Sequence, residues 1–225
     1  MIKTHNELLI SEIFYSFQGE STLMGVPTIF IRLAKCNLDC SICDTKHAFK
    51  ATKILQIKDI IKLLKPFKSP YVCITGGEPL LQKKGVLLLV SALLKLKKII
   101  SIETNGSLLI SNIPNVVKKV VDVKTPSTAE VKSFNIKNLK HITKNDEIKF
   151  VISNKKDFDF SIKFIKKHRL ESLNAQILFS PNLSIPGLAT ELSKWILKSK
   201  LPIMFQPQIH KLIKEKPIFL VSHSS

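Results

Sequence analysis

The stretch TIFIRLAKCNLDCSICDT, Thr28 to Thr45, passes from an apolar run straight into a loop that gathers Cys36, Cys40 and Cys43. Its first half, rich in β-branched and aromatic residues, predicts a strand. Its second half sets three thiols at the end of that strand with C-x3-C-x2-C spacing. The fourth cysteine of the chain, Cys73, lies in another apolar run and reads as a small buried hydrophobe. A structural zinc site closes with four ligands, commonly paired in two short loops. No second short cysteine pair completes such a set here, although His47 stands at a spacing that allows a Cys3His zinc knot. A cubane iron–sulfur cluster held by three thiolates is the sharper reading, because one iron then keeps a position open for an outside ligand.

The same strand-then-loop pattern recurs along the chain. Strands are predicted at LLISEIFYSFQGE, YVCITGG, KIISIETNG, VVDVKTP, EIKFVISN, NAQILFSPN and LPIMFQPQ. Apolar residues at helical intervals predict helices at TKILQIKDIIKLLK, KKGVLLLVSALLKL, KKDFDFSIKFIKKHRL and GLATELSKWILKSK. SLLISNIPNVVKK reads as a weaker helix interrupted at Pro114, and TPSTAEVKSFNIKNLKHITKND as an irregular excursion. Repeated alternation of strand and helix means parallel strands joined by right-handed crossovers. About six core strands fall short of the eight of a closed βα barrel. The expected fold is therefore α/β, a partial, open βα barrel in a single domain over residues 1–225. Chemistry in such folds gathers at the carboxyl ends of the strands. The cysteine loop, TGGEP, ETNG, DVKTPS, SPN and QPQIH all fall at those ends.

At 225 residues the chain is long enough to bury a full core without disulfides. No run of about 18 uncharged apolar residues predicts a membrane span, and the opening MIKTHNELLISE does not read as a signal peptide. The expectation is a cytoplasmic protein whose thiols are metal ligands or reactive groups. The excess of 35 Lys+Arg over 17 Asp+Glu, formally +18, can attract nucleic acid or other anions. Nearly all of it is lysine spread through amphipathic segments, where it occupies the wet faces of helices. Arg32 and Arg169 are the only arginines, so an arginine-based reader of bases or phosphates is poorly supported. Neither a nucleic acid nor a membrane partner is expected.

TGGEP, Thr75 to Pro79, adds a double glycine that lets backbone approach a bound ligand. Together with the C-x3-C-x2-C loop it resembles the radical S-adenosylmethionine superfamily. The further series IFYSFQGEST, GVPTIFIRL, CNLDCSICDT, TGGEPLLQ, ETNG, DVKTPS and QPQIHK, from about Ile13 to Lys211, resembles the 7-carboxy-7-deazaguanine synthase family. That resemblance implies contraction of 6-carboxy-5,6,7,8-tetrahydropterin with loss of ammonia, on the route to queuosine and related 7-deazapurines. It implies a 4Fe–4S cluster on Cys36, Cys40 and Cys43, S-adenosylmethionine as the radical source, and Mg²⁺ held by Thr45. A single hydroxyl is plausible for Mg²⁺, which keeps waters and borrows ligands. Gln18 and Glu20 would bond the pterin edge, and Arg32 the substrate carboxylate through its two-pronged guanidinium. Gly76, Gly77, Glu78, Glu103, Lys124 and Ser127 would line the S-adenosylmethionine site, with Gln206. Gln208 and His210 would help shape the substrate pocket. An electron donor such as flavodoxin or ferredoxin and a homodimer are likewise implied by the resemblance.

Two residues depart from the family pattern. Ile42 replaces the usual aromatic before Cys43, and it is expected still to pack against adenine. Ser21 replaces the usual glycine after QGE, and it is strained if that turn needs positive φ. Two other readings stay open on the sequence: an activase that makes a glycyl radical on a partner protein, and a non-enzymatic basic zinc or nucleic-acid-binding module.

Overall fold

The computed structural model describes residues 5–50, 53–213 and 216–222. Among the described residues ten strands form one sheet in the order β10-β1-β2-β4-β5-β6-β7-β8-β9, with β3 pairing β1 at its other end. Their ranges are β1 Glu7–Phe17, β2 Pro27–Leu33, β3 Lys53–Gln56, β4 Tyr71–Gly76, β5 Ile99–Thr104, β6 Lys118–Asp122, β7 Glu147–Ile152, β8 Gln176–Pro181, β9 Ile203–Phe205 and β10 Ile218–Val221. From β2 through β4 to β9 every neighbouring pair is parallel, while β1 is antiparallel to β2, β3 and β10. Among the described residues the parallel set has seven members, the last of them, β9, only three residues long, in keeping with about six core strands. The sheet ends at β10 and β9 without closing, which is the open barrel that the alternating pattern predicts.

Among the described residues four α-helices cover the outer face: α1 Ile57–Leu64, α2 Lys83–Lys95, α3 Lys155–His168 and α4 Leu188–Ser199. Each buries one stripe, such as Val86, Leu89, Val90 and Leu93 of α2, against the strands. The strand residues they meet include Ile29, Ile31, Ile74, Ile102, Val121, Phe150 and Phe179, all buried. Asn154 caps α3 by accepting the Asp157 N–H at 3.0 Å, a contact worth about 1 kcal/mol.

Two sequence expectations fail for a physical reason. The first part of the helix read at TKILQIKDIIKLLK is strand β3, whose residues pair with Glu7–Ile10 of β1; its leading Thr52 lies outside the described residues. That pairing satisfies the backbone of β1 beyond the reach of β2 and β10, so tertiary hydrogen bonding overrides a helical pattern that starts only at Ile57. No helix forms at SLLISNIPNVVKK either. Ile110, Ile113 and Val117 are buried at helix-like intervals, but the side chain of Asn138 accepts from Ile110 N and donates to the Gly106 and Leu108 carbonyls. With its backbone served from outside and Pro114 in its path, the segment stays irregular.

At the amino-terminal ends of the strands, away from the loops that carry the motifs, a sealed ion pair joins β6 to the turn before β7. Lys119 Nζ lies 2.9 Å from Asp146 Oδ2, and both side chains are essentially inaccessible. Asp146 also accepts the Lys119 N–H at 2.9 Å and the Thr143 N–H at 2.7 Å. Removing one partner leaves the other charge buried and alone, which costs about 3–5 kcal/mol. Asp146→Ala is therefore expected to lower unfolding free energy by about that amount in urea titration; a change under ~1 kcal/mol would show that the pair is not needed.

Candidate active site

Side chains alternate across each strand, and on the parallel strands the residues opposite the helix layer are largely polar. Arg32 on β2, Thr75 on β4, Glu103 on β5, Asp122 on β6 and Lys149 on β7 all project into one cavity of about 560 Å³. The loop after β2 supplies Cys36, Cys40, Cys43 and Thr45 to the same wall, and the segment after β9 supplies Gln208 and His210. Gln18 and Glu20 enter from the turn between β1 and β2, Gly76 and Gly77 from the end of β4, and Lys124 from the end of β6. Glu78, Ser127 and Gln206 do not line the cavity.

Those three residues stand behind the wall. Glu78 is fully buried and accepts from Leu80 N, Thr104 Oγ1 and Asn105 N, at 2.9, 2.8 and 2.7 Å. It caps the turn after TGGEP and ties the end of β4 to the end of β5. Burial pushes its carboxyl pKa up, against those hydrogen bonds. Ser127 braces the cysteine loop, its carbonyl accepting from Ser41 Oγ at 2.7 Å and its hydroxyl from Asn154 Nδ2 at 2.8 Å. Gln206 donates to the Ser21 carbonyl and so holds the QGES turn. Ser21 has φ 65°, the left-handed conformation that the departure from glycine makes costly; its own Oγ accepts the Leu23 N–H at 3.0 Å and offsets part of the strain.

The cysteine loop takes its shape from the double glycine. A Cβ on Gly76 would sit 2.3 Å from the Leu33 carbonyl oxygen, and one on Gly77 2.1 Å from that of Lys35. In this close approach Gly77 N donates to Leu33 O at 3.1 Å and Glu78 N to Lys35 O at 2.8 Å. The glycines thus fit β4 against the backbone that leads into Cys36. Cys40 N-terminal to Cys43 closes a tight turn, Cys43 N donating to Cys40 O at 3.2 Å. Burial raises the thiol pKa of Cys36 and Cys40, with nearby Lys124 pulling the other way. The remaining cysteine is no part of this group: Cys73 is fully buried on β4 beside Phe14 and Phe30, and donates to Glu103 at 3.5 Å. His47 lies on the wall but is 3.3 Å from Glu12. Three thiols on one loop with the fourth turned away fit a cluster that keeps one iron open, and fit a four-ligand zinc site poorly. Thr45 precedes a short 3-10 turn without capping it, so its hydroxyl, 3.8 Å from the Cys43 sulfur, is not spent on backbone. Ile42 lines the cavity beside it.

The opposite wall is a chain of charged and amide groups. Gln18 Nε2 donates to Glu103 at 3.2 Å, and Glu103 also accepts from Thr75 Oγ1 at 3.1 Å. Gln208 donates to Glu20, whose other oxygen is 2.5 Å from Lys149 Nζ. Lys149 is 3.9 Å from Asp122 Oδ2, which holds Lys124 Nζ at 2.8 Å. Burial opposes the charge on Glu20, yet Lys149 overrides it and lowers the carboxyl to about 2. Lys149 is held charged well above the usual lysine range, Glu20 and Asp122 outweighing its burial. Arg32 is paired with Glu12 through Nε at 2.5 Å and lies 5.5 Å from the Phe14 ring. Asp44 is held down by Lys211 at 2.8 Å despite burial. His210 packs on Gly19, where a Cβ would collide with its ring, and its pKa is lowered, chiefly by burial.

Sequence reading missed Glu12, Thr75, Asp122 and Lys149. The available signal was period two: Thr75 in CIT, Asp122 in VVD and Lys149 in EIKFVI interrupt apolar parallel strands at positions facing away from the helices. Gly77→Ala is expected to cost about 3 kcal/mol and to impair cluster loading, since the collision is with backbone; thermal unfolding and iron content after reconstitution check both. A variant that loads iron normally would show that the close approach does not shape the cysteine loop.

The family model of the Radical SAM superfamily matches residues 30–170 of this chain. A 7-carboxy-7-deazaguanine synthase from Koribacter versatilis is 38% identical over 216 residues, covering 91% of this chain and 96% of that protein. One from Methanospirillum hungatei is 40% identical over 205 residues, covering 91% and 84%. Among solved structures, QueE from Escherichia coli superposes with a TM-score of 0.67 at 24% identity, covering 89% of this chain and 94% of that one. Streptococcus suis SuiB bound to S-adenosylmethionine gives 0.51 at 17% identity, covering 76% and 48%. The two structures establish the fold. With the three-thiol loop at the mouth of an open barrel and relatives matched over nearly their full length, the chain belongs to the 7-carboxy-7-deazaguanine synthase family of the radical SAM superfamily.

Proposed function

We propose that this chain catalyses the ring contraction of 6-carboxy-5,6,7,8-tetrahydropterin to 7-carboxy-7-deazaguanine with loss of ammonia, a step toward queuosine and related 7-deazapurines. The observation that carries the reading is the meeting, in one cavity, of the Cys36–Cys40–Cys43 loop with the Gln18, Glu20 and Gln208 wall. When bound, the cluster and S-adenosylmethionine supply a carbon radical able to take a hydrogen atom from the substrate. The chain's own residues bind, orient and shield.

Cys36, Cys40 and Cys43 would hold the cluster, and Gly76, Gly77, Glu103 and Lys124 border the space for S-adenosylmethionine beside them. Glu78 and Ser127 support that space from behind by fixing the TGGEP turn and the cysteine loop, and Gln206 fixes the QGES turn. Gln18 and Glu20 offer an amide and a carboxylate to the alternating donors and acceptors of a pterin edge. Arg32, oriented through Nε by Glu12, keeps its terminal guanidinium nitrogens for a substrate carboxylate. Gln208 and His210 close the pocket on the side of β9. Thr45 would hold Mg²⁺ beside waters and substrate oxygens, supported by its uncommitted place before the 3-10 turn.

The reading extends to a flavodoxin- or ferredoxin-type electron donor and to a cytoplasmic homodimer. Self-association is supported by exposed Leu212 and Ile218 on and beside edge strand β10. No helix among the described residues is long and apolar enough to cross a membrane.

The deciding experiment is anaerobic turnover of carboxytetrahydropterin by the reconstituted, reduced protein. Formation of carboxydeazaguanine and 5′-deoxyadenosine is expected; a loaded enzyme that cleaves S-adenosylmethionine without making this product would favour the activase reading instead. Cys40→Ala is expected to abolish S-adenosylmethionine cleavage, and full cleavage by that variant would remove Cys40 from the ligand set. Thr45→Ala is expected to raise the magnesium concentration for half-maximal rate on the order of 10-fold at unchanged iron content. An unaltered magnesium response would take Thr45 out of the metal site.

A further inference from the structure

We infer that Lys149, on β7, is the positioning residue of the substrate wall: its ammonium aims the Glu20 carboxylate into the cavity, so that the site accepts a ring edge made of N–H donors. This inference rests on the function proposed above and names how its substrate is selected.

Three observations carry it. Lys149 Nζ meets Glu20 Oε2 at 2.5 Å while Gln208 occupies Oε1, so both carboxylate oxygens are held from the protein side. Each oxygen still has a second lone pair for a ligand. The pair also stands on the cavity wall, unlike the Lys119–Asp146 pair sealed at the other end of the strands. A buried ion pair is weak support for a fold, since well-packed apolar residues commonly serve as well or better. Its position therefore points to the ligand. Finally, Lys149 reaches beyond Glu20 to Asp122, its cross-strand neighbour on β6, which in turn holds Lys124. Asp122 Oδ2 thus lies between the two ammonium groups and ties Lys149 to the end of β6.

The chemistry follows from the donor pattern. A pterin presents a 2-amino group and an adjacent ring N–H, both donors. An ionised carboxylate accepts from both, and charge-assisted bonds are roughly twice as strong as neutral ones. A protonated Glu20 would instead set its own O–H against a donor. Without the neighbouring ammonium, a carboxyl buried to this degree drifts toward its neutral form. Lys149 thus acts through Glu20.

The test uses the full chain with its cluster reconstituted, and measures equilibrium binding and steady-state kinetics with carboxytetrahydropterin and with its analogue lacking the 2-amino group. Lys149→Met is expected to raise both Kd and KM for the pterin on the order of 100-fold, with iron content and S-adenosylmethionine affinity unchanged. It should also bind the two pterins nearly equally, where the native protein prefers the amino compound. Lys149→Arg is expected to recover most of the affinity. A Met variant with native Kd overturns the inference, as does a parallel fall of iron content, S-adenosylmethionine affinity and pterin affinity, which would mark Lys149 as a strut. If the Met variant does not fold, the Arg and Gln variants decide: Arg should bind the pterin more tightly than Gln, and equal affinity overturns the inference. Failure of the underlying function looks different, since the native protein itself would then leave carboxytetrahydropterin unchanged.

Discussion

The contact on which the site depends is the packing of Gly76 and Gly77 against the backbone of Leu33 to Lys35. It brings the end of β4 within hydrogen-bonding distance of the chain just before Cys36, through Gly77 N to Leu33 O and Glu78 N to Lys35 O. Any side chain at either glycine collides with carbonyl oxygen, which cannot rotate away. From this junction Glu78 reaches Thr104 and Asn105, fastening β5 to the same corner, and Asn105 in turn lies 3.8 Å from the Cys36 sulfur. The cysteine loop is thus set by backbone already committed to the sheet. The glycines were expected to admit a ligand; what they first admit is another segment of the chain.

Around that corner the barrel keeps an interior that is charged and largely paired. Glu20 with Lys149, Asp122 with Lys124, and Arg32 with Glu12 each combine a group at the cavity with a partner on a neighbouring strand or turn. Ion pairs at such depth are costly to desolvate and add little to stability. What they supply is fixed orientation and fixed protonation, which a reaction guided by position and exclusion of water requires. The sheet permits this because only its outer face is needed to bury the helices. The QGES turn completes the interior, held by Gln206 at β9 and by Thr22, whose N–H donates to Glu147 of β7 at 3.0 Å.

Much of this was legible in one dimension. Alternating apolar runs and amphipathic segments gave the strand and helix order, and the motifs fell at strand ends because that is where parallel strands present their loops. The errors share a cause. Lys53–Gln56 and the segment around Pro114 carry helix-like spacing, yet their backbones bond to β1 and to the Asn138 side chain, partners distant in sequence. Lys149 and Glu12 stay illegible in the sequence because a charge within a strand looks like solvent exposure when the facing surface is unknown. Glu78, Ser127 and Gln206 stand behind the cavity wall, and a motif marks a neighbourhood without saying which side chain turns inward.

The sequence alone determined the kind of chemistry: three thiols at one strand end, a double glycine at the next, and a family pattern running almost the length of the chain. These are local properties, set by residue type and spacing. Tertiary structure decided which groups face the cavity, which stand behind it, and which opposite charges meet. Those outcomes depend on strand register and on turns crossing the open barrel, so Glu20 finds Lys149 only once β7 and the QGES turn are in place.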